Sequence, residues 1–212
     1  MSPLSLFRLR HAARVLTPAI ALAGIATAAA TPAGAQMFSA SYRFLDSVRD
    51  RDGSKVTELL DSTPAIVNTR DITTGETGLL ITIARRDIVW VRFLLNRDAD
   101  PNLADRNGLT PMMSAAQIGF VDAVQELLAK GAQVNRTNGR GETALHVAVQ
   151  RRDVALVRLL MQSGANADAQ DNIAGMSPRD YAGADNRGSA VLAAMNEAPA
   201  APPTGARPAG PN

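Results

Sequence analysis

The chain contains no cysteine in its 212 residues. That excludes disulfides, thiolate metal sites, a cysteine nucleophile and a lipid-modified N-terminal cysteine, so stability must come from packing alone. Histidine is nearly as scarce, with His11 and His146 the only two. A HExxH zinc helix needs two histidines on one face, and the chain has no such motif. A serine–histidine pair has to use His146, and no nucleophile elbow offers it a serine. No dense run of basic residues occurs, which argues against a general electrostatic footprint for nucleic acid. These gaps lead us to expect no enzyme activity, no cofactor and no metal.

Two short stretches imitate chemical motifs. Residues 139–144 read GRGETA, a formal match to GxGxxA, but no strand-rich βαβ pattern surrounds them. Asp98, Asp100 and Asn102 imitate the start of a calcium loop. That loop requires glycine where Leu103 stands and glutamate where Leu109 stands.

Long apolar runs are also missing. The apolar stretch at residues 19–30 is shorter than the roughly 20 residues that a membrane span needs. It follows Arg8, Arg10 and Arg14 and precedes Ala33-Gly34-Ala35. A positive head, a short apolar run and small residues form the pattern of a secretory signal peptide, expected to cover residues 1–35 with cleavage near Ala35. Its bacterial style implies a periplasmic or secreted protein that meets the membrane only through this signal. The full chain carries 22 basic and 20 acidic residues, and cleavage leaves 19 basic against 20 acidic. The high pI therefore belongs mainly to the signal. At the other end, residues 197–212 are rich in alanine and proline and are expected to be a disordered tail.

Between these ends the chain repeats itself. Gly75, Gly108 and Gly141 are evenly spaced, and Gly175 follows one residue late. Two residues after each glycine comes Thr77, Thr110, Thr143 or Ser177, suited to cap a helix. Small residues follow at Thr82, Ala115, Ala148 and Ala182. Apolar pairs recur at Leu94-Leu95, Leu127-Leu128 and Leu160-Met161. Each unit closes at Asp98-Ala99, Gly131-Ala132 or Gly164-Ala165. In the clearest unit, Pro111 suits the first helical position, and a second helix is expected over about 121–130, stopped by Gly131. Glu126 and Lys130 are expected to pair along it. Such units bury their apolar faces only by stacking.

The pattern resembles the ankyrin repeat: glycine, T-P-L-H, alanine, a leucine pair and Gly-Ala. Residues 143–149 read TALHVAV and residues 110–116 read TPMMSAA. The resemblance covers roughly residues 40–196 and departs from the pattern in places. Gly78 and Ala144 stand for the proline, Leu80 and Met113 for the histidine, and Asp98 for a cap glycine. It implies an all-α solenoid of stacked helix-turn-helix units with hairpin-like turns. The units are expected at 39–70 (degenerate), 71–104, 105–137, 138–171 and 172–196 (partial), within a domain of 36–196. The loop at residues 172–175 holds one extra residue and should differ in shape. Trp90 is read as packing between repeats.

The resemblance also implies a job. His146 takes a structural place, hydrogen-bonded between turns, and the protein works by holding a protein partner. It is expected to be a monomeric adaptor or accessory factor for an envelope protein, with a secreted effector as the alternative. In this family partners meet the turns and the concave face of the first helices. On the turns the candidates are Arg70, Asp71, Asp105, Arg106, Asn107, Arg136, Asn138, Arg140, Asp171 and Asn172. On the helices they are Ile81, Arg85, Ser114, Gln117, Ile118, Val147, Gln150 and Arg151. The arginines favour an acidic patch on the partner.

Overall fold

A computed structural model of the chain describes residues 33–197. The expected signal, up to residue 32, and the expected tail, from residue 198, lie outside them. Ten α-helices follow in order: α1 Ala33–Asp50, α2 Gly53–Ser62, α3 Gly78–Ala84, α4 Ile88–Leu95, α5 Pro111–Gln117, α6 Val121–Ala129, α7 Ala144–Gln150, α8 Val154–Gln162, α9 Pro178–Ala184 and α10 Ser189–Glu197. A short 3-10 turn, Pro64–Asn68, follows α2. Consecutive helices pair, and the pairs stack. First helices α1, α3, α5, α7 and α9 touch in that order; among the second helices α4 meets α6, and α8 meets α10.

The helix starts follow from local chemistry. Thr77, Thr110 and Ser177 each accept the amide three residues on at 3.2 Å, a cap that contributes about 1 kcal/mol. Pro111 and Pro178 open their helices, where no N–H is needed. The second helices are capped differently. Asp52, Asp87 and Asp153 accept from Lys55, Trp90 and Leu156. Each aspartate follows an arginine in the left-handed region, Arg51, Arg86 or Arg152, with φ between 56° and 60°. Gly119 takes that place before α6, whose cap position, Phe120, offers no side-chain acceptor.

Packing explains the small residues. Thr82, Ala115 and Ala148 are fully buried and Ala182 nearly so, which lets each second helix lie close on its first. The stripe Val91, Leu94, Leu95 of α4 and its counterparts Val124, Leu127 and Val157, Leu160 are buried in the stack. Trp90 packs edge-on to Phe93 at 5.7 Å and reaches Gly53 on α2. It lies between the first two units, as its sequence reading expects.

The first helix is 18 residues long and begins at Ala33. Two local expectations need correction. Glu126 does not pair along its own helix with Lys130. Its carboxylate takes Arg92 of the preceding unit at 2.7 Å, because second helices stand side by side. The extra residue of the last turn is not peculiar to it. The amide of Asp71 bonds Glu76 and that of Asp171 bonds Met176, whereas Asp105 bonds Leu109 and Asn138 bonds Glu142. The turns beginning at Asp71 and Asp171 are therefore both one residue longer than the two between them.

Candidate functional site

Four turns join the units, and each is organised by its first side chain. Oδ1 of Asp71 accepts the amides of Thr73 and Thr74. Asp105 does so for Asn107 and Leu109, and Asn138 for Arg140 and Glu142. Asp171 takes three amides, those of Ile173, Ala174 and Gly175. The side-chain oxygen replaces the backbone acceptor these amides would otherwise lack. Successive turns then join into one strip. Arg106 N–H donates to the Thr74 carbonyl at 3.2 Å, Gly139 N–H to Asn107 at 3.2 Å and Asn172 N–H to Arg140 at 2.8 Å. Gly108, at φ 77°, shows why glycine recurs: a Cβ there would stand 2.9 Å from the Gly139 nitrogen.

A second ladder ties the units behind the turns. Nδ2 of Asn68, Asn102 and Asn135 donates to the carbonyl of Asp98, Gly131 and Gly164 respectively. Their Oδ1 atoms accept from Asp100, Gln133 and Asn166 at 2.7 to 2.8 Å. Asp98, Gly131 and Gly164 are the left-handed residues that end their helices, so Asp98 performs the glycine's conformational task.

The expected partner-binding residues divide into three groups. Asp105, Arg106, Asn107, Gln117, Asn138 and Arg140 line one groove of about 810 Å³ between the third and fourth units. Asn107 and Gln117 are exposed there. Arg140 is bound to Glu142 by two nitrogens, at 2.6 and 3.0 Å, and Arg106 donates to the Ile72 carbonyl. Burial pushes the Glu142 carboxyl up, but hydrogen bonds from Asn138, Arg140 and Gln150 outweigh it and hold the group below its ordinary value. Beside this groove, Gln150 reaches Glu142, while Arg136 and Asn172 are exposed outside its lining. Arg70 lies apart, in a second groove beside α1.

A third group serves the interior. Arg85 Nη1 bonds the carbonyls of Val48 and Arg49 at 2.6 and 3.0 Å. Arg151 does the same to Gln117 at 2.6 Å. Both arginines neutralise the C-terminal end of the neighbouring first helix. Arg85 Nε and Nη2 are buried without a partner, and burial, with Arg51 nearby, pulls this guanidinium below its usual value. Asp171 is 4% exposed and takes the Tyr181 hydroxyl at 2.5 Å. That bond and the three turn amides hold its carboxyl down to about 2. Arg85 and Asp171 thus belong to the frame, while Arg151 remains exposed although its guanidinium is tied to Gln117. Asp71 is likewise occupied, by Arg49 at 2.8 Å and the turn amides, which hold it well below the usual carboxylate range. Ile81, Ser114 and Val147 are buried and Ile118 half-buried, and none of them lines the groove.

His146 is fully buried. Its Nδ1 accepts the Thr143 amide at 3.0 Å, so Nε2 carries the proton and donates to the Met176 carbonyl at 3.3 Å. Both nitrogens are spent on joining one turn to the next. At the corresponding place in the last unit Asp180 accepts the Ser177 amide at 2.9 Å.

A family model described as "Ankyrin repeats (3 copies)" matches residues 46–138 and again 79–171. An ankyrin repeat-containing protein of Treponema pallidum (strain Nichols) is 42% identical over 80 residues, covering 38% of this chain and 26% of that protein. Human neurogenic locus notch homolog protein 2 is 38% identical over 84 residues, covering 40% of this chain and 3% of that protein. An ankyrin repeat protein of Fowlpox virus (strain NVSL) is 36% identical over 97 residues, covering 44% of this chain and 28% of that protein. The chain thus matches only a minor part of each relative's length.

Proposed function

Since the chain belongs to the ankyrin-repeat family, whose repeats are protein–protein interaction modules, we propose that it is a non-catalytic adaptor holding a protein of the bacterial envelope in the groove between its third and fourth units. One observation carries the reading: six of the residues expected to contact a partner converge on that groove. Its polar turns are fixed by their own hydrogen bonds before a partner arrives, so little ordering entropy is lost on binding. The export pattern of residues 1–35 supports an envelope location, and the burial of both His146 nitrogens in structural bonds supports a non-catalytic role.

The experiment places a photocrosslinking residue at Asn107, Gln117 or, as a control, Glu58 of the full chain in its own cells. Glu58 is exposed on α2, away from the groove. The same protein adduct from Asn107 and Gln117, absent from Glu58 and recovered from the periplasmic fraction, is expected. Adducts from neither groove position would remove the site, and adducts confined to the cytoplasm would remove the location.

A further inference from the structure

The strip of turns has an unfilled first place. In the later turns the residue after the organising Asp or Asn donates to the turn before it: Arg106 to Thr74, Gly139 to Asn107, Asn172 to Arg140. Ile72 holds that position in the first turn, and its N–H has no acceptor among the described residues. Where a preceding turn would stand, α1 continues as helix back to Ala33. A groove of about 420 Å³ occupies the place, with Tyr42 and Leu45 of α1 on one side and Arg70, Ile72 and Thr73 on the other. Tyr42 is 68% exposed and Ile72 80% exposed. An open backbone donor beside exposed apolar side chains is the combination that recruits another chain.

We propose that this slot receives an extended segment of a partner protein bearing a large apolar residue and, close to it, a carboxylate. The fold itself shows the occupant three times. At each later step the donor is met by a carbonyl from irregular backbone, which a helix, with its carbonyls engaged internally everywhere but its last turn, does not offer along its length. The segment's carbonyl accepts from Ile72, and its apolar side chain lies between Tyr42 and Ile72. Charge sets the rest. Arg49 is neutralised by Asp71 at 2.8 Å, whereas Arg70 makes no ion pair among the described residues and is exposed. The slot is therefore complementary to an acidic segment, in the manner of peptides that extend a sheet edge. This inference rests on the protein-binding reading and gives the partner a chemical class.

The test titrates the ¹⁵N-labelled full chain with two acetylated, amidated heptapeptides. One has a central phenylalanine with aspartate two positions later, and the other has lysine in place of the aspartate. The first peptide should bind saturably, shift the Tyr42 and Ile72 amides, and slow hydrogen exchange at Ile72 N–H at least tenfold. The lysine peptide, or Ile72→Asp and Arg70→Glu in the protein, should weaken binding at least tenfold. Thermal unfolding of both variants confirms that they are folded. Shifts at Asn107 and Asn138 instead would overturn the slot while leaving the adaptor groove standing. No saturable binding by either peptide overturns it as well. Protection of Ile72 in the free chain would show that this chain covers its own slot. Protection that grows with protein concentration would give the slot to a second copy.

Discussion

Asp98 holds a left-handed backbone, at φ 62°, in the position where Gly131 and Gly164 end the following repeats. A side chain there costs about 1 kcal/mol, slightly offset by glycine's greater freedom when unfolded. Asp98→Gly should therefore stabilise the chain by about 0.5–1 kcal/mol, read as a higher denaturant midpoint with an unchanged slope. Asp171 belongs to the same scale. Its carboxyl is depressed from 3.8 to about 2 by the Tyr181 hydroxyl and three amides. A depressed carboxyl adds stability that is complete above its ordinary value and lost as pH falls through the folded one. The unfolding midpoint should thus fall between pH 3.8 and about 2, and Asp171→Asn should flatten that limb. The same bond raises the Tyr181 hydroxyl above 10.0, so its contribution is present below that value and lost as pH climbs through the raised one. A midpoint-against-pH curve identical for the two proteins would discard both statements.

At the scale of elements, the asparagine ladder and the turn strip join each unit to the next by different atoms. Asn102→Ala removes a bond to the Gly131 carbonyl and one from the Gln133 amide. A net contribution of about 1 kcal/mol for an ordinary hydrogen bond sets the expected loss at roughly 1–2 kcal/mol. Because repeat stability is a sum of neighbour interfaces, the loss should appear as faster amide exchange between the second and third units, and the fourth should change little. Uniform acceleration along the stack would mean the units unfold as one block. The arginines show why element-level roles are hard to read in advance. Arg85 and Arg106 are alike as letters at exposed-looking positions. One caps the end of α1 and the other lines a groove. Which carbonyl a guanidinium meets is decided by a neighbouring repeat more than 30 residues away.

At the scale of the whole molecule, the solenoid was legible because its rules are periodic in residue type. Turn glycine, cap threonine, buried alanine and the apolar pair each recur where the stack needs them. The turn positions were legible too, since they follow from the same period. Less was legible where a feature breaks the period upstream of its marker. The long turn at Asp71 places its extra residue before Gly75, and no glycine stands one repeat period upstream, where Tyr42 lies, against which to measure it. The matching residue before Gly175 shows at once as a shifted spacing. The Asp52, Asp87 and Asp153 caps were overlooked although they recur, because an arginine precedes each of them where the left-handed region favours glycine. The contacts each groove residue makes also decide what its substitution does. Arg140→Ala should weaken partner capture and the fold together, since it strips Glu142 of its ion partner. Gln117→Ala should weaken capture alone, which comparison of binding with thermal unfolding in the two variants will separate.

The asparagine ladder bears on heredity as well as on strength. Asn102 and Asn135 make the same pair of bonds, to Gly131 and Gln133 in one case and to Gly164 and Asn166 in the other. A gene that lost the codons for residues 103–135 would splice Asn102 directly onto Arg136, and the shortened chain would meet the same acceptor and donor one unit later. Such a deletion should still yield a folded protein, shorter by one step. The joints are interchangeable, so this lineage can lengthen or trim its reach by whole units without inventing a new contact.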